Sequence, residues 1–379
     1  MKSKSAWLIS IFGIILLICS TNACSYPTNK AEFPLPGDVS PELSSKEDAP
    51  TAAAETTVPT ETAAAEKPAE ADVRVIKLPA PYDDARMEFS GMAWLGDKLV
   101  LLPQYPRRLG EDGSGFIVTI QKEDILAYLG GESMEPIETG LIAFDDGGLS
   151  ESLEGFEGFE ALAFLGEKVF LTIETSGGSP MMGYLVSGVV DEERQSIRLE
   201  AEGIVPLVPQ TDFRNASDEA LVVANEQLFT FFEDNGSAVN PYSYAHVFDT
   251  ALSPQPQTDF PAIEYRVTDA TESQADGSFW VMNYFYPGDA HLKAEVDPIA
   301  QRFGEGLSHR RSDRVERILR LQLENGQIRM ADEAPLYLSL TPDGSSRNWE
   351  GLVRLDELGF LAVTDSFPET ILGFIPDLR

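Results

Sequence analysis

Five stretches of this chain align with one another without a gap, and each has the pattern of a β-hairpin. They are SGMAWLGDKLVLLPQ from Ser90, EALAFLGEKVFLTIE from Glu160, EALVVANEQLFTFFE from Glu219, DATESQADGSFWVMN from Asp269 and EGLVRLDELGFLAVT from Glu350. In each, a polar residue opens a short strand, a turn of Gly, Asp, Asn or Glu follows, and a second apolar strand begins at Val100, Phe170, Phe229, Phe279 or Phe360. The starts are 70, 59, 50 and 81 residues apart. Four-stranded blades repeat at such intervals when their loops are generous, so the expected fold is all-β: a β-propeller of five blades. A sixth blade lacking the hairpin signature has room in either of the longer intervals.

The remaining strands are expected at Phe116–Gln121, Ile137–Phe144, Tyr184–Val190, Ile197–Val208, Tyr244–Phe248, Ile263–Val267, Arg317–Gln322 and Gln327–Ala331. The last blade ends in a third strand, Thr370–Ile375, with no fourth after it. A lone strand, Val73–Leu78, precedes the first hairpin. Pairing the two completes that blade and removes an open sheet edge.

Ahead of this domain, Lys2 and Lys4 precede an apolar run from Ala6 to Cys19, too short to span a bilayer and shaped like a secretory signal. Residues 1–23 therefore read as a leader. Thr21-Asn22-Ala23-Cys24 reads as a lipoprotein cleavage site with Cys24 acylated, although a Leu is usual where Thr21 stands; the alternative is plain cleavage after Ala23. Residues 24–72 are rich in Ala, Thr, Glu and Pro, with too few large apolar groups to offset ordering entropy, and read as a flexible tether. Residues 73–379 form the propeller. The expected location is the outer face of a bacterial membrane, reached through the lipid anchor only, or a secreted or periplasmic soluble form.

Both cysteines, Cys19 and Cys24, lie outside the domain, which rules out disulfide and thiol chemistry there. Three histidines and no H-E-x-x-H pattern argue against zinc. The formal charge of −34 repels nucleic acid and anionic lipid and attracts cations. A monomer is expected.

In a propeller the first strand of each blade lines the channel, so the opening residues Ser90, Glu160, Glu219, Asp269 and Glu350 converge at its mouth. The residues fourteen further on, Gln104, Glu174, Glu233, Asn283 and Thr364 with Asp365 beside it, face the same way. Four converging carboxylates either take up protons or hold a cation. Oxygen-only ligands in a wide ring suit Ca²⁺. The alternative is that acids at strand starts are solvated or bond backbone amides of neighbouring blades.

These hairpins resemble two related propeller groups. One is the bacterial phytase-like (esterase-like) family, with strand starts of the kind seen in Asn348-Trp349-Glu350-Gly351-Leu352. The other is the calcium-activated nucleotidase (apyrase) family, with five blades and a central calcium held by a Ser, Glu, Glu, Ser, Glu succession. The resemblance covers the hairpins and not the loops. It implies Ca²⁺ held by Ser90, Glu160, Glu219, Asp269 and Glu350, with Asp269 departing from the second Ser.

Substrate groups are expected from loops joining the second and third strands: Tyr105, Arg107 and Arg108 in the first blade, and Asn283 with Tyr284 and Tyr286 leading into the long insertion Pro287–Asp313 of the fourth. That insertion carries His291, Lys293, Arg302, His309, Arg310 and Arg311. Over a metal, such a cluster binds a small anionic substrate, with Glu174, Glu233 or His309 moving protons. The alternative is that these arginines pair with surface acids. Trp94, Trp280 and Trp349 read as packing between blades. Two functions follow: a calcium-dependent phosphoester or phosphoanhydride hydrolase, or a non-catalytic surface module with a structural calcium and a surface ligand.

Overall fold

The computed structural model describes residues 68–379 except 111–113, 177–180, 192 and 214–215. The leader, Cys24 and nearly all of the tether lie outside the described residues. The fold is a β-propeller. Its inner strands are Phe89–Leu95, Phe156–Leu165, Asp218–Ala224, Arg266–Ala270 and Trp349–Leu355, and each pairs antiparallel with the strand that follows it.

Apolar residues fill the seams between neighbouring hairpin units. Phe144 and Phe159 join the first to the second, and Phe170 and Leu228 the second to the third. Phe231 and Phe279 join the third to the fourth, and Met282 and Phe360 the fourth to the fifth. Leu101 and Leu361 close the ring from the fifth back to the first. There the Trp94 indole donates to the Arg354 carbonyl at 2.8 Å. Alternation along each strand places one apolar set on each seam.

The expected closure is present: Arg74–Ile76 pairs antiparallel with Leu372–Pro376. A second clasp precedes it. Ala69–Ala71 pairs in parallel with Leu336–Leu338 of the fourth blade, so the ordered domain begins ahead of the expected boundary at residue 73. Ala-Glu-Ala has no strand signature, and only the open edge of its partner makes it one.

Other departures concern strand assignment. Residues 263–265 are not strand, and Arg266–Ala270 is the inner strand of the fourth blade rather than an outer strand of the third. The outer strand of the third blade is Pro254–Asp259, whose polar, proline-bearing sequence suits an edge. Ile197–Val208 is broken into Ser196–Leu199, a 3₁₀ turn and Val205–Leu207. Lys122–Gly130 is a helix. No helix among the described residues is long and apolar enough to cross a membrane.

Candidate functional site

Every inner strand carries a register irregularity near its start, and these bulges aim side chains at the channel mouth. The bulged residues are Ser90, Glu219, Thr268 and Glu350, and in the second blade the irregularity spans Glu160 and Ala161. The fourth position is thus Thr268 and not Asp269, a one-residue correction. Hydrogen bonds agree with it. Ser90 Oγ donates to the Phe159 carbonyl at 2.5 Å, and Thr268 Oγ1 donates to the Trp349 carbonyl at 2.6 Å. Each hydroxyl reaches the residue just before the next blade's glutamate.

Asp269 is buried elsewhere. Its Oδ2 accepts from the Leu352 amide at 2.7 Å and its Oδ1 from the Ala270 amide at 2.8 Å. It therefore ties the fourth blade to the fifth and does not line the mouth. Asp269→Ala is expected to cost about 2–3 kcal/mol in urea unfolding, because the buried amides it serves lose their acceptor, while leaving metal affinity in calorimetry unchanged.

The same correction moves the outer ring. Across the hairpins, Gln104, Glu174, Glu233, Tyr284 and Asp365 follow the residues paired to the bulges. Asn283 is fully buried. Its amide nitrogen donates to the Glu264 and Arg266 carbonyls and its Oδ1 accepts from Arg317, so it shapes the loop and cannot meet a substrate.

The mouth is a cavity of about 330 Å³ lined by Ser90, Gln104, Glu160, Glu174, Glu219, Arg266, Tyr284, Tyr286, Asp289, Asn348, Glu350 and Asp365. Gln104 Nε2 donates to Glu160 Oε1 at 3.0 Å. Gly158, at φ 152°, makes room for that side chain, since a Cβ there would stand 2.1 Å from Gln104 Cγ. Burial pushes Glu160, Glu219 and Glu350 well above the usual carboxylate range, reinforced by Glu174, Glu350 and Asp365 respectively. Burial raises Glu174 to about 7. Glu174 Oε1, Glu219 Oε2, Glu233 Oε1 and Asn348 Oδ1 are buried with no hydrogen-bond partner. No group of three or more His, Cys, Asp or Glu among the described residues is already gathered closely enough to hold a metal ion. The mouth is therefore acid-rich and unsatisfied without being a finished cage.

Arg266, which the sequence reading missed, is the one cation lining this cavity among the described residues. It pairs with Glu233 Oε2 and, at 2.9 Å, with Asp289 Oδ2. Glu233, fully buried, braces Arg266 and does not line the cavity. The only advance signal for Arg266 was its place two residues before a bulge that was itself out of register.

The remaining candidates lie away from the mouth cavity. Arg107 pairs with Glu151 and Asp146 and lines a separate cavity of about 520 Å³ between the first and second blades. Arg108 pairs with Glu88 and stacks 3.9 Å from the Tyr105 ring centroid. Arg310 and Arg311 are exposed on the insertion and line no part of the mouth. His309 is 2 % exposed, and burial lowers its pKa to about 4. Its Nε2 accepts from the Glu316 amide at 3.2 Å, so it is a neutral structural acceptor and not an acid–base catalyst.

No protein-family model matches the chain. No curated protein matches its sequence either. Solved structures that align with it include the soluble aldose sugar dehydrogenase of Escherichia coli, at 9 % identity over 80 % of this chain and 99 % of that one, TM-score 0.40. An α-L-arabinanase mutant from Cellvibrio cellulosa aligns at 12 % identity over 80 % and 92 %, TM-score 0.40. An α-L-arabinofuranosidase of Clostridium thermocellum aligns at 13 % identity over 73 % and 81 %, TM-score 0.37.

Proposed function

We propose that the mouth binds calcium and that the chain is an extracytoplasmic propeller hydrolase of phosphoesters or phosphoanhydrides. One observation carries the metal: buried carboxylates with unpartnered oxygens converge where, among the described residues, a single guanidinium is the only counter-charge. Glu160, Glu219 and Glu350 would hold the ion, with Ser90 and Thr268 completing the ring. In corrected register the succession is hydroxyl, acid, acid, hydroxyl, acid, the order implied by the nucleotidase-like resemblance, and the departure at Asp269 disappears. Bound calcium would neutralise substrate oxygens and polarise water. Glu174, with its pKa near neutrality, is the group to accept a proton.

The leader, an acyl group on Cys24 and the tether would hold the domain, as a monomer, at the outer face of a bacterial membrane. Calcium is abundant there, and sites of modest affinity suffice. One observation favours the non-catalytic surface module instead: Arg107, Arg108, Asn283 and His309 are all taken up by internal contacts.

Phosphate release separates the two. The purified full chain is incubated with nucleotides, phytate and simple phosphate esters, in millimolar calcium or in excess EGTA. Release from one class, lost in EGTA, is expected. Full release in EGTA would sink the calcium dependence. No release, with melting still raised by calcium, would leave the surface module.

A further inference from the structure

The mouth is electrically two-sided. Three blades turn carboxylates into it: Glu160 and Glu174 from the second, Glu219 from the third, and Glu350 and Asp365 from the fifth. The fourth blade presents Arg266 and Tyr284, directly paired across the hairpin, with Tyr286 two residues further on and Asp289 held against Arg266; Thr268, at the inner-ring position, is fully buried and does not line the cavity. The other potential donors around the cavity are neutral and partly engaged: Ser90 by a carbonyl, and one N–H each of the Gln104 and Asn348 amides by Glu160 and Asp365.

Arg266 makes three contacts through its guanidinium, two to Asp289 and one to Glu233. A guanidinium has five N–H donors, so two remain. The Tyr284 and Tyr286 hydroxyls make no hydrogen bond to any described residue. The Tyr286 ring folds so closely over Gly288 that a Cβ there would stand 2.0 Å from the hydroxyl. This donor set lines the cavity, with the buried Glu233 bracing the guanidinium and Asp289 beside it at the cavity wall.

We infer that Arg266, Tyr284 and Tyr286 form an oxyanion subsite on the fourth blade, for a phosphoryl group that also faces the acid ring. The inference rests on the proposed hydrolase for its substrate class. A phosphoryl group has three splayed oxygens and can meet donors from two neighbouring strand positions at once, whereas a planar carboxylate offers two oxygens in one plane. In so negative a domain, this side of the mouth holds its one lining cation among the described residues, with Asp289 as the acid beside it. Glu233 and Asp289 are positioning residues, because they fix the guanidinium and leave its outer N–H groups free.

The test is calorimetric binding of inorganic phosphate to the full chain in millimolar calcium, with acetate as the carboxylate control. Calcium affinity is measured in parallel on each variant. Arg266→Gln is expected to weaken phosphate binding by about tenfold or more, as loss of a charged donor pair requires. Arg266→Lys should fall between, because an ammonium lacks the fork. Tyr284→Phe should weaken phosphate by about threefold to tenfold. Calcium affinity in Arg266→Gln should be unchanged or tighter, showing that the site is intact after loss of a neighbouring positive charge. An unchanged phosphate affinity in Arg266→Gln would overturn the subsite, as would acetate binding as tightly as phosphate, or no phosphate binding by the parent chain. Phosphate bound through Arg266 but never released from any ester would uphold the subsite while sinking the hydrolase.

Discussion

Stripped of divalent metal, the domain is expected to lose stability as pH rises from about 5 to 8, and calcium is expected to restore most of it. The sign follows from the mouth carboxylates. Burial raises Glu160, Glu174, Glu219 and Glu350 in the folded state above their unfolded value of 4.5. Between the two values the native state binds more protons than the unfolded chain, so unfolding gains as protons leave. Glu174 alone, raised to about 7, accounts for about 3 kcal/mol across that window. The acids held low, such as Asp146 beside Ser150 and Arg107 or Asp276 beside Ser278, act with the opposite sign. Their window lies below the ordinary carboxylate range and does not overlap; His309, lowered to about 4, does overlap and offsets about 2 kcal/mol below pH 6.5, less than the four mouth acids contribute together. Melting curves at pH 5 and pH 8, in EDTA and in calcium, measure the effect. A metal-free protein that melts higher at pH 8 than at pH 5 would show that these acids ionise without strain, and would remove the case for a cation.

The second large effect is expected at a buried ion pair that adjoins the mouth without lining it. Glu316, fully buried, accepts from the Arg347 guanidinium at 2.7 Å, the Arg347 amide at 2.7 Å and the Trp349 indole at 2.8 Å. Glu316→Ala leaves a guanidinium and an indole N–H buried without their acceptor. Breaking such a pair from one side costs about 3–5 kcal/mol, read as a lower urea midpoint at unchanged slope. Glu316→Gln keeps the shape and one acceptor oxygen, and should cost less. A cost below about 1 kcal/mol for the alanine variant would mean that water reaches Arg347, and that this seam is looser than its burial implies.

These networks mark where sequence reading stops. The hairpins were legible because apolar alternation on both strands leaves a pattern that repeats in composition and spacing. The bulge in the fourth hairpin was not, because Asp269 aligns as well as Thr268 when only residue type is compared. The acid next in line looked like the better match to Glu160 and Glu219. Hydrogen bonds to Phe159 and Trp349 decide the register, and they join residues far apart in the chain. The same limit hid Arg266, whose value lies in Glu233 and Asp289 reaching it from other segments. Arg107, Arg108 and His309 illustrate the converse error. Their side chains have the right chemistry for a phosphate, but Glu151, Glu88 and the Glu316 amide hold them elsewhere.

The double clasp at the start of the domain has a mechanical consequence. Ala69–Ala71 and Arg74–Ile76 attach to two different sheets, and Glu70 also accepts from the Ser308 amide at 3.0 Å. Tension entering at residue 68 is therefore shared between the fourth and fifth blades at the seam that joins them, instead of peeling one edge strand. The parallel ladder to Leu336–Leu338 lies first in the path of the load, and pulling along its axis strains its hydrogen bonds together. In the anchored arrangement proposed above, drag on the domain would load both blades at that seam.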